Sequence, residues 1–573
     1  MHFIKKSSSN SIDADGLLAL KSEEAFLPYE GKTIRYIIVN QYRFEKTFID
    51  TTKSINYFGT KILNRLHKDT RQWAIRDDLF IHENTPLAVY QLADNERYLR
   101  SLDYIQDARI IVKPITGTQD SVDVYVITKD FFSLNGQLNN ASPGKFKAKV
   151  GDVNLFGAAQ NLQGAILIEK DRSPAIGTGI MYTKYNVGGT FIDATVGYTT
   201  INRDLHDGTM DEHAGYVTLQ RILVSQYSHF AGGLTVGKYQ SFNNYSKPED
   251  YFFNYSYHVF DSWLGYNLGP DKLIKDRTRK ANQFISLRYF NTFFSQTPVQ
   301  VQDKLNFRFN NKEAVLAQFT FFKQGYYKTN YIYGFGTTED IPYGYNMAFT
   351  LGMYQQAYLS RPYAGLDANR YKVYNRGDIV QYFLRAGSFW DRGKWQDANI
   401  LLGVSGFSRL FLFNNFKLRQ YMRLSYTRQF NRIGLDPLGI NNAFGLRYFS
   451  SDSITGNQRF SLHSETITFI NYKVLGFKFS PFAFADVVAL NLYNETFNKS
   501  VWYYGLGGGI RTRNENLVFR TSELRIVYFP RKGNQTQSFK ATLAINFRFR
   551  YNTNYVLEPD IIQLNSDSQN NIF

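Results

Sequence analysis

Cysteine is absent from the 573 residues, which excludes disulfide bonds and thiolate metal sites. Proline is scarce, with 14 residues, and no low-complexity spacer divides the chain evenly, so its length predicts two unequal domains. No run of about 18 apolar residues occurs, so no transmembrane helix is predicted, and the mean hydropathy is −0.36. A membrane-spanning strand is not excluded, because it needs only about 10 residues with alternate ones apolar.

Catalytic signatures are also missing. Neither G-x-S-x-G nor H-E-x-x-H occurs, and the 8 histidines are scattered. The glycine cluster GLGGGIR near Gly505 lies within a predicted strand and opens no helix, which makes it a poor phosphate loop. Asp204, Asp207, Asp211 and Glu212 share a polar loop that could bind a divalent cation, although a solvated acidic loop is favoured. We therefore expect no enzymatic activity and no cofactor.

The formal net charge of +17 raises the question of which anionic partner the chain binds. Nucleic-acid binding would require Lys and Arg clustered on one face among stacking aromatic residues, whereas here they are spread along strands. We expect no nucleic-acid partner, and instead a basic lumen and attraction to anionic lipids. The N-terminal MHFIKKSSSNS has no apolar signal region, so an exported protein would be a processed form.

What the chain does have is aromatic residues and glycine. It contains 42 Tyr, 49 Phe and 42 Gly, and 17% of its residues are aromatic. Tyr-rich girdles and Gly-containing, bend-tolerant strands are typical of membrane β-barrels, although a soluble all-β protein could also reach this composition.

Residues 33–131 predict a small α+β domain. TIRYIIVN reads as a first strand, and DARIIVKPI and SVDVYVITKD read as two more, joined by a turn at TGTQD. Between them, apolar residues at helical spacing mark two helices: Ile55, Phe58, Ile62 and Leu66, then Leu92, Leu99 and Leu102. This β-α-α-β-β order resembles a POTRA domain, although any small α+β domain also fits. The resemblance implies a periplasmic domain that captures extended clients by adding a strand to a sheet edge.

Residues 145–551 predict an antiparallel β-barrel. Strands such as FIDATVGYTT and FKLRQYMRLSYTRQF alternate apolar and polar residues and are separated by polar loops. A soluble sandwich would need a second apolar layer, whereas closure into a barrel removes that need and also removes unpaired edges. We count 16 to 18 strands, with residues 1–32 as an N-terminal extension and 132–144 as a linker.

The last strand pattern, FKATLAINFRFRY, has one apolar face that we expect to contact lipid. We predict that it pairs with a weak first strand, KFKAKVGDV, and that this lateral seam admits client strands; an ordinary closed seam is equally compatible. The predicted seam residues are Phe146, Ala148, Val150, Phe539, Ala541, Leu543, Ile545, Phe547 and Phe549.

The most specific motif follows residue 440. NAFGLRYFSSDSITGNQRFSLHSETITF and SPFAFADVVAL resemble the signature of the POTRA-barrel superfamily of outer-membrane assembly and translocation proteins, the bacterial surface antigen family that includes the BamA/TamA group. The resemblance implies a sixth loop folded into the lumen, with its tip at Leu446, Arg447, Tyr448 and Phe449. It also implies a docking wall at Glu465, Phe484 and Asp486. Tyr448 stands where the family has glycine, which puts the docked conformation in doubt because glycine tolerates positive φ cheaply.

The resemblance further implies 16 strands, five of them after the loop tip, and a function in inserting or exporting unfolded client polypeptides at the bacterial outer membrane. Periplasmic or lipoprotein accessory subunits are possible partners. The alternative is a passive pore or an anchor for another protein. Residues 552–573 extend beyond the last strand, and we expect a periplasmic tail folded against the barrel mouth.

Overall fold

The computed structural model describes residues 20–21, 23–42, 68–142, 144–270, 281–301, 305–306, 308–336, 338–442, 444–449, 454–474, 477–491, 495–514, 521–531, 538–547 and 556–565. Strands predominate in these residues. Within the same ranges, no helix has both the length and the apolar character needed to cross a membrane.

The described part of the N-terminal domain has a three-stranded sheet and two α-helices. Its elements are β1 (Thr33–Tyr42), α1 (Gln72–Asp77), α2 (Val89–Ser101), β2 (Ile105–Pro114) and β3 (Ser121–Asp130). The central strand β3 runs parallel to β1 and antiparallel to β2. All three predicted strands and the helix carrying Leu92 and Leu99 are present, whereas the helix predicted over 55–66 lies outside the described residues.

The core of this domain forms because alternate strand residues and one helix face are apolar. Ile34, Val124 and Leu92 are fully buried in it. Phe26, in the 3-10 helix Glu24–Tyr29, is part of the same core, so the domain begins before the predicted boundary at residue 33.

Twenty longer strands, each of 8 to 18 residues, form the large antiparallel sheet. In chain order they are β4 (Leu134–Ser142), β5 (Lys145–Asp152), β6 (Gln160–Glu169), β7 (Ile176–Lys184), β8 (Asp193–Asn202), β9 (Glu212–Arg221), β10 (Phe230–Ser241), β11 (Ser256–Asn267), β12 (Asn282–Gln296), β13 (Lys312–Thr329), β14 (Glu339–Gln356), β15 (Leu359–Val373), β16 (Ile379–Asp391), β17 (Lys394–Phe407), β18 (Phe416–Phe430), β19 (Gln458–Ile470), β20 (Phe477–Asn491), β21 (Val501–Asn514), β22 (Thr521–Tyr528) and β23 (Phe539–Phe547).

These strands close into a barrel. Each pairs with the next along the chain, and β23 pairs with β4. The prediction of 16 strands is wrong for the described chain, whereas the prediction of five strands after the loop tip is confirmed. The predicted linker is also wrong, because residues 134–142 form β4. The polar sequence LNGQLNNAS forms a strand there because pairing on both sides satisfies its backbone groups.

The barrel wall is apolar outside and polar inside. On β14, Phe349, Leu351 and Met353 point outward and are 42%, 61% and 49% exposed. Large polar side chains fill the interior, and among the largest fully buried ones are Arg361, Arg385, Arg419 and Arg459. This is the reverse of a water-soluble protein and matches the alternation seen in the sequence.

The small domain is fixed to one end of the barrel. In α2, Arg100 forms ion pairs with Asp340 at 2.6 Å and with Glu96 at 2.5 Å, and Glu96 also pairs with Lys328 at 2.6 Å. Asp340 and Lys328 flank the β13–β14 turn, which lies at the barrel end opposite the long β18–β19 loop. The domain therefore covers one mouth of the barrel, and the long loop enters from the other. In this barrel it is the eighth loop at that end and not the predicted sixth, and we call it loop six hereafter only to match the predicted motif.

The described part of the C-terminal segment lies inside the barrel. Residues 556–565 are extended, and the side chains of Val556, Ile561, Ile562 and Leu564 are buried against the inner wall. The prediction of a periplasmic tail at the barrel mouth is therefore wrong for this segment, which runs through the lumen.

Candidate functional site in the barrel lumen

A cluster of charged side chains covers the inner wall on β19 to β22. Strand register puts them on one face, because His463 lies opposite Asp486, Glu465 opposite Phe484 and Arg511 opposite Glu523. Residues two apart along each strand then share that face, which adds Arg525. All the charged members of the cluster are buried.

Two arginines and two glutamates form a continuous ion-pair network in this cluster. Arg511 contacts Glu465 and Glu523 at 2.8 Å each, and Arg525 contacts Glu523 at 2.8 Å and Glu465 at 3.6 Å. Buried charges are stable only when each has such partners, because burial removes their hydration.

Asp486, the predicted partner of Arg447, is instead hydrogen-bonded by the ring of His463. Within the described residues Arg447 makes no hydrogen bond or ion pair with Asp486 or Glu465, although its charge interacts with both at longer range. The wall holds three carboxylates, including Glu523, against its two arginines. Arg447 of the loop is a third cation, and its positive charge balances the third carboxylate of the cluster without a direct contact.

The direct contact between loop and wall is made by Tyr448. The Arg525 guanidinium lies 5.1 Å from the Tyr448 ring and 4.7 Å from the rings of both Phe482 and Phe484. Arg525 is thus held between aromatic faces of the wall and the loop, as cation–π attraction favours. The tyrosine that stands where the resembled motif has glycine makes this contact.

Tyr448 nevertheless keeps a glycine-like backbone. Its φ is +65°, in the left-handed region that costs a non-glycine residue about 1–2 kcal/mol. Tyrosine in place of glycine therefore leaves the turn intact but strains its backbone, and the stacking on Arg525 offsets that strain.

The other two predicted tip residues are buried in an apolar cluster. Leu446 and Phe449 pack with Phe482, Phe484 and Val488 of the wall. The backbone N–H of Leu446 also donates to the Ile440 carbonyl at 2.7 Å, and this hydrogen bond closes a turn before the tip. The structure therefore brings the predicted tip and the predicted wall together.

Glycines on β21 make room for the wall aromatics. A Cβ on Gly507 would lie 2.6 Å from Phe484 Cζ and closer still to the Ile526 carbonyl oxygen. The glycine cluster that is a poor phosphate loop is instead a flat strand surface against which Phe484 lies.

The tip also contacts the strand that closes the barrel. The ammonium group of Lys540 on β23 donates a hydrogen bond to the Tyr448 carbonyl oxygen at 3.1 Å. β23 pairs with β4 to close the barrel, so the loop tip is attached to a strand of the closing seam.

The structure places only some of the predicted seam residues on a strand of the closing seam. Phe539, Ala541 and Leu543 lie on β23 and face outward. However, Phe146, Ala148 and Val150 lie on β5, the second strand, between β4 and β6, and so do not form the seam. The side chains of Ile545 and Phe547 and all of Phe549 lie outside the described residues.

Sequence reasoning missed His463, Arg511, Glu523 and Arg525. The sequence pattern that could have identified them is the alternation of charged and apolar residues along a strand. In SELRIVY, Glu523 and Arg525 alternate with the outward-facing Leu524 and Ile526. Charges on the inward face of strands adjacent to the predicted wall would have identified the network.

The acidic loop considered as a cation site already contains a cation from the chain. Lys247 contacts Asp207 at 2.9 Å, Asp211 at 3.1 Å and Asp204 at 3.7 Å. Burial and the neighbouring carboxylates raise the pKa of Asp204 to about 6. Among the residues that the structure describes, no group of metal-ligating side chains occurs.

No family model and no curated protein matches the chain. Among solved structures, the chain is similar to BamA from Haemophilus ducreyi lacking POTRA domains 1–3, with 10% identity, a TM-score of 0.36, and coverage of 89% of this chain and 84% of that one. It is also similar to CdiB from Acinetobacter baumannii, with 9% identity, a TM-score of 0.41 and coverage of 90% and 74%. CdiB from Escherichia coli matches with 9% identity, a TM-score of 0.43 and coverage of 90% and 76%.

The functional assignment rests on the strand pairing and the lumen contacts of this chain.

Proposed function

We propose that the protein is an outer-membrane assembly factor or polypeptide translocase, which captures client polypeptides by strand addition and inserts or exports them through the seam or the lumen. The observation that carries this proposal is the docked loop tip, which is bound both to the charged wall and, through Lys540, to the closing strand β23. A change at the tip is thereby transmitted to the seam.

A lipid location is supported by the outward apolar face and by the closed ring of strands, which leaves no unpaired backbone edge in a bilayer. In this arrangement the small domain lies at the periplasmic mouth. Anionic lipids are the expected counterpart of the basic composition.

Client capture is supported by an edge strand in the small domain. The outer edge of β1 is covered, since Asn84 donates to the Ile34 carbonyl at 2.7 Å and Ile34 donates to Thr85 at 3.0 Å. In the described part of the domain, β2 has a strand on one side only. On its other edge, Arg100 of α2 donates to the Ala108 carbonyl and Ile110 donates its N–H to Glu96 of α2, so an extended client would pair with β2 beyond Ile110.

The test is insertion of an unfolded outer-membrane barrel protein into liposomes that contain this protein, followed as the rate of protease protection. We expect faster protection than in empty liposomes, and loss of that gain in Arg447→Ala. Arg432→Ala, an exposed arginine of the same loop, is the matched control and should behave as wild type. No gain over empty liposomes would contradict insertion of clients and, with steady ion conductance, would favour a translocation pore or an anchor.

A further inference from the structure

The segment 556–565, hereafter the lumen segment, crosses the barrel interior. Val556 packs beside Leu223, near the mouth that the small domain covers. At the other end, Asn565 Nδ2 donates to the Pro437 carbonyl of loop six at 2.7 Å, and Gly439 donates its N–H to Asn565 Oδ1 at 3.1 Å. The lumen segment therefore connects the two ends of the channel and contacts loop six.

The wall binds the backbone of this segment directly. Arg288 donates to the Pro559 carbonyl at 2.8 Å, and Arg459 donates to the Leu564 carbonyl at 2.8 Å. Contacts of this kind recognise any extended chain, because they use main-chain atoms.

The side chains of the segment add a chemical preference. Ile561 packs with aromatic residues that include Tyr363 and Phe389, and Ile562 and Leu564 pack with a second group that includes Phe383 and Phe444. Arg288, which bonds the Pro559 carbonyl, also forms ion pairs with the neighbouring Asp560 at 3.2 Å and Glu558 at 3.9 Å. The wall thus fits an extended peptide with acidic residues followed by aliphatic ones.

Arg459 of the inner wall takes most of its hydrogen-bond acceptors from the lumen segment. Its side chain is fully buried, and in the described part of the chain its hydrogen bonds go only to the Leu564 carbonyl, the Asn565 side chain and the Gly439 carbonyl. Burying a guanidinium without acceptors is costly, so departure of the lumen segment would leave this cation without most of its acceptors unless another peptide replaced it.

We propose that the inner wall around Arg288, Tyr363 and Arg459 is a binding site for an extended acidic-aliphatic polypeptide, which residues 556–565 occupy in cis as a displaceable plug. A peptide of the same chemistry competes for the site from outside the chain. The inference goes beyond the proposed function, since it requires only occupancy of the lumen and holds whether or not the protein inserts clients.

The absence of cysteine allows a direct test on the full-length, membrane-embedded protein. Leu564→Cys places one thiol in the plug, and Tyr472→Cys places one at an exposed turn as the reference. We expect maleimide-polyethylene glycol to label the reference quickly and the plug slowly. The free peptide VLEPDIIQLN should accelerate plug labelling to near the reference rate, whereas a scrambled peptide should not.

A second pair of variants tests the closure of the channel in planar bilayers. Ile562→Asp places a charge in the apolar pocket and should raise conductance several-fold, whereas Gln563→Asp, at a half-exposed position of the same segment, should leave it unchanged. Equal labelling of the two thiols without peptide, plug labelling that the free peptide does not change, or equal conductance of the two aspartate variants would overturn the proposal.

Discussion

Tyr448 allows the energetics of loop docking to be separated into two opposing contributions. Replacing it with alanine removes the stacking on Arg525, worth about 0.5–2 kcal/mol, but leaves the left-handed backbone at φ +65°. Replacing it with glycine removes the same stacking but also relieves strain of about 1–2 kcal/mol. Phenylalanine keeps both the ring and the strain.

These magnitudes predict an order of docking stability in which Tyr448→Phe and Tyr448→Gly lie near wild type and Tyr448→Ala is weakest. Since about 1.4 kcal/mol is a factor of ten, the alanine variant should expose the tip up to roughly thirtyfold more often. The glycine variant should stay within a few-fold of wild type, because its two changes nearly cancel.

The assay is trypsin cleavage after Arg447, followed by mass spectrometry, with cleavage after the exposed Arg432 as an internal control in the same loop. When opening is fast relative to cleavage, the cleavage rate reports the undocked population. In an Arg525→Ala background the difference between tyrosine and alanine should disappear. Equal cleavage of the alanine and glycine variants would refute the role of strain, and wild-type cleavage of the alanine variant would refute the stacking.

Three further predictions concern the surroundings of the site. Gly507→Ala should destabilise the barrel by about 1–3 kcal/mol because its Cβ collides with Phe484, whereas Gly505→Ala, whose nearest contact is 3.3 Å, should be tolerated; urea unfolding of the two proteins distinguishes them. Lys540→Ala should speed trypsin cleavage of the tip roughly two- to tenfold, and Lys540→Arg should not. Burial raises the pKa of Asp130 to about 7, so the folded domain keeps a proton that the unfolded chain releases above about pH 4. Stability of the small domain should therefore fall as pH rises from about 4 to about 7 and stay level above it. Hydrogen exchange of β3 should show this fall in wild type and a smaller one in Asp130→Asn, in which Asp78, whose pKa burial raises to about 6, still contributes.

Alternation of apolar and polar residues predicted most of the barrel. FKLRQYMRLSYTRQF became β18, with Met422 and Leu424 outward and Arg419 and Arg423 inward. Such strands are readable because the apolar face and the lumen impose opposite demands on successive residues. The motif marked a loop whose Leu446 and Phe449 lie against the wall, whereas the predicted contact of Arg447 with Asp486 is not present among the described residues.

Features set by distant parts of the chain could not be read in this way. β4 has no apolar face, and it becomes a strand because β23 and β5 supply its hydrogen-bond partners. The lumen segment has no periodic pattern, so its place beside Arg288 and Arg459 depends on a wall built from other strands. Tyr448, and not the predicted Arg447, stacks on a cation of the wall because its partner there is Arg525, a residue outside the motif.

The central claim, that client strands pair at the seam beside the docked loop, is tested most directly by site-specific photo-crosslinking. A photoreactive phenylalanine analogue at Phe539 on β23 is compared with the same analogue at Phe349 on β14; both side chains face outward and both are exposed. During insertion of an unfolded barrel client into liposomes, we expect a crosslink to the client from position 539 and none from 349. Crosslinks of equal yield from both positions, or none from 539 while insertion proceeds, would contradict the account.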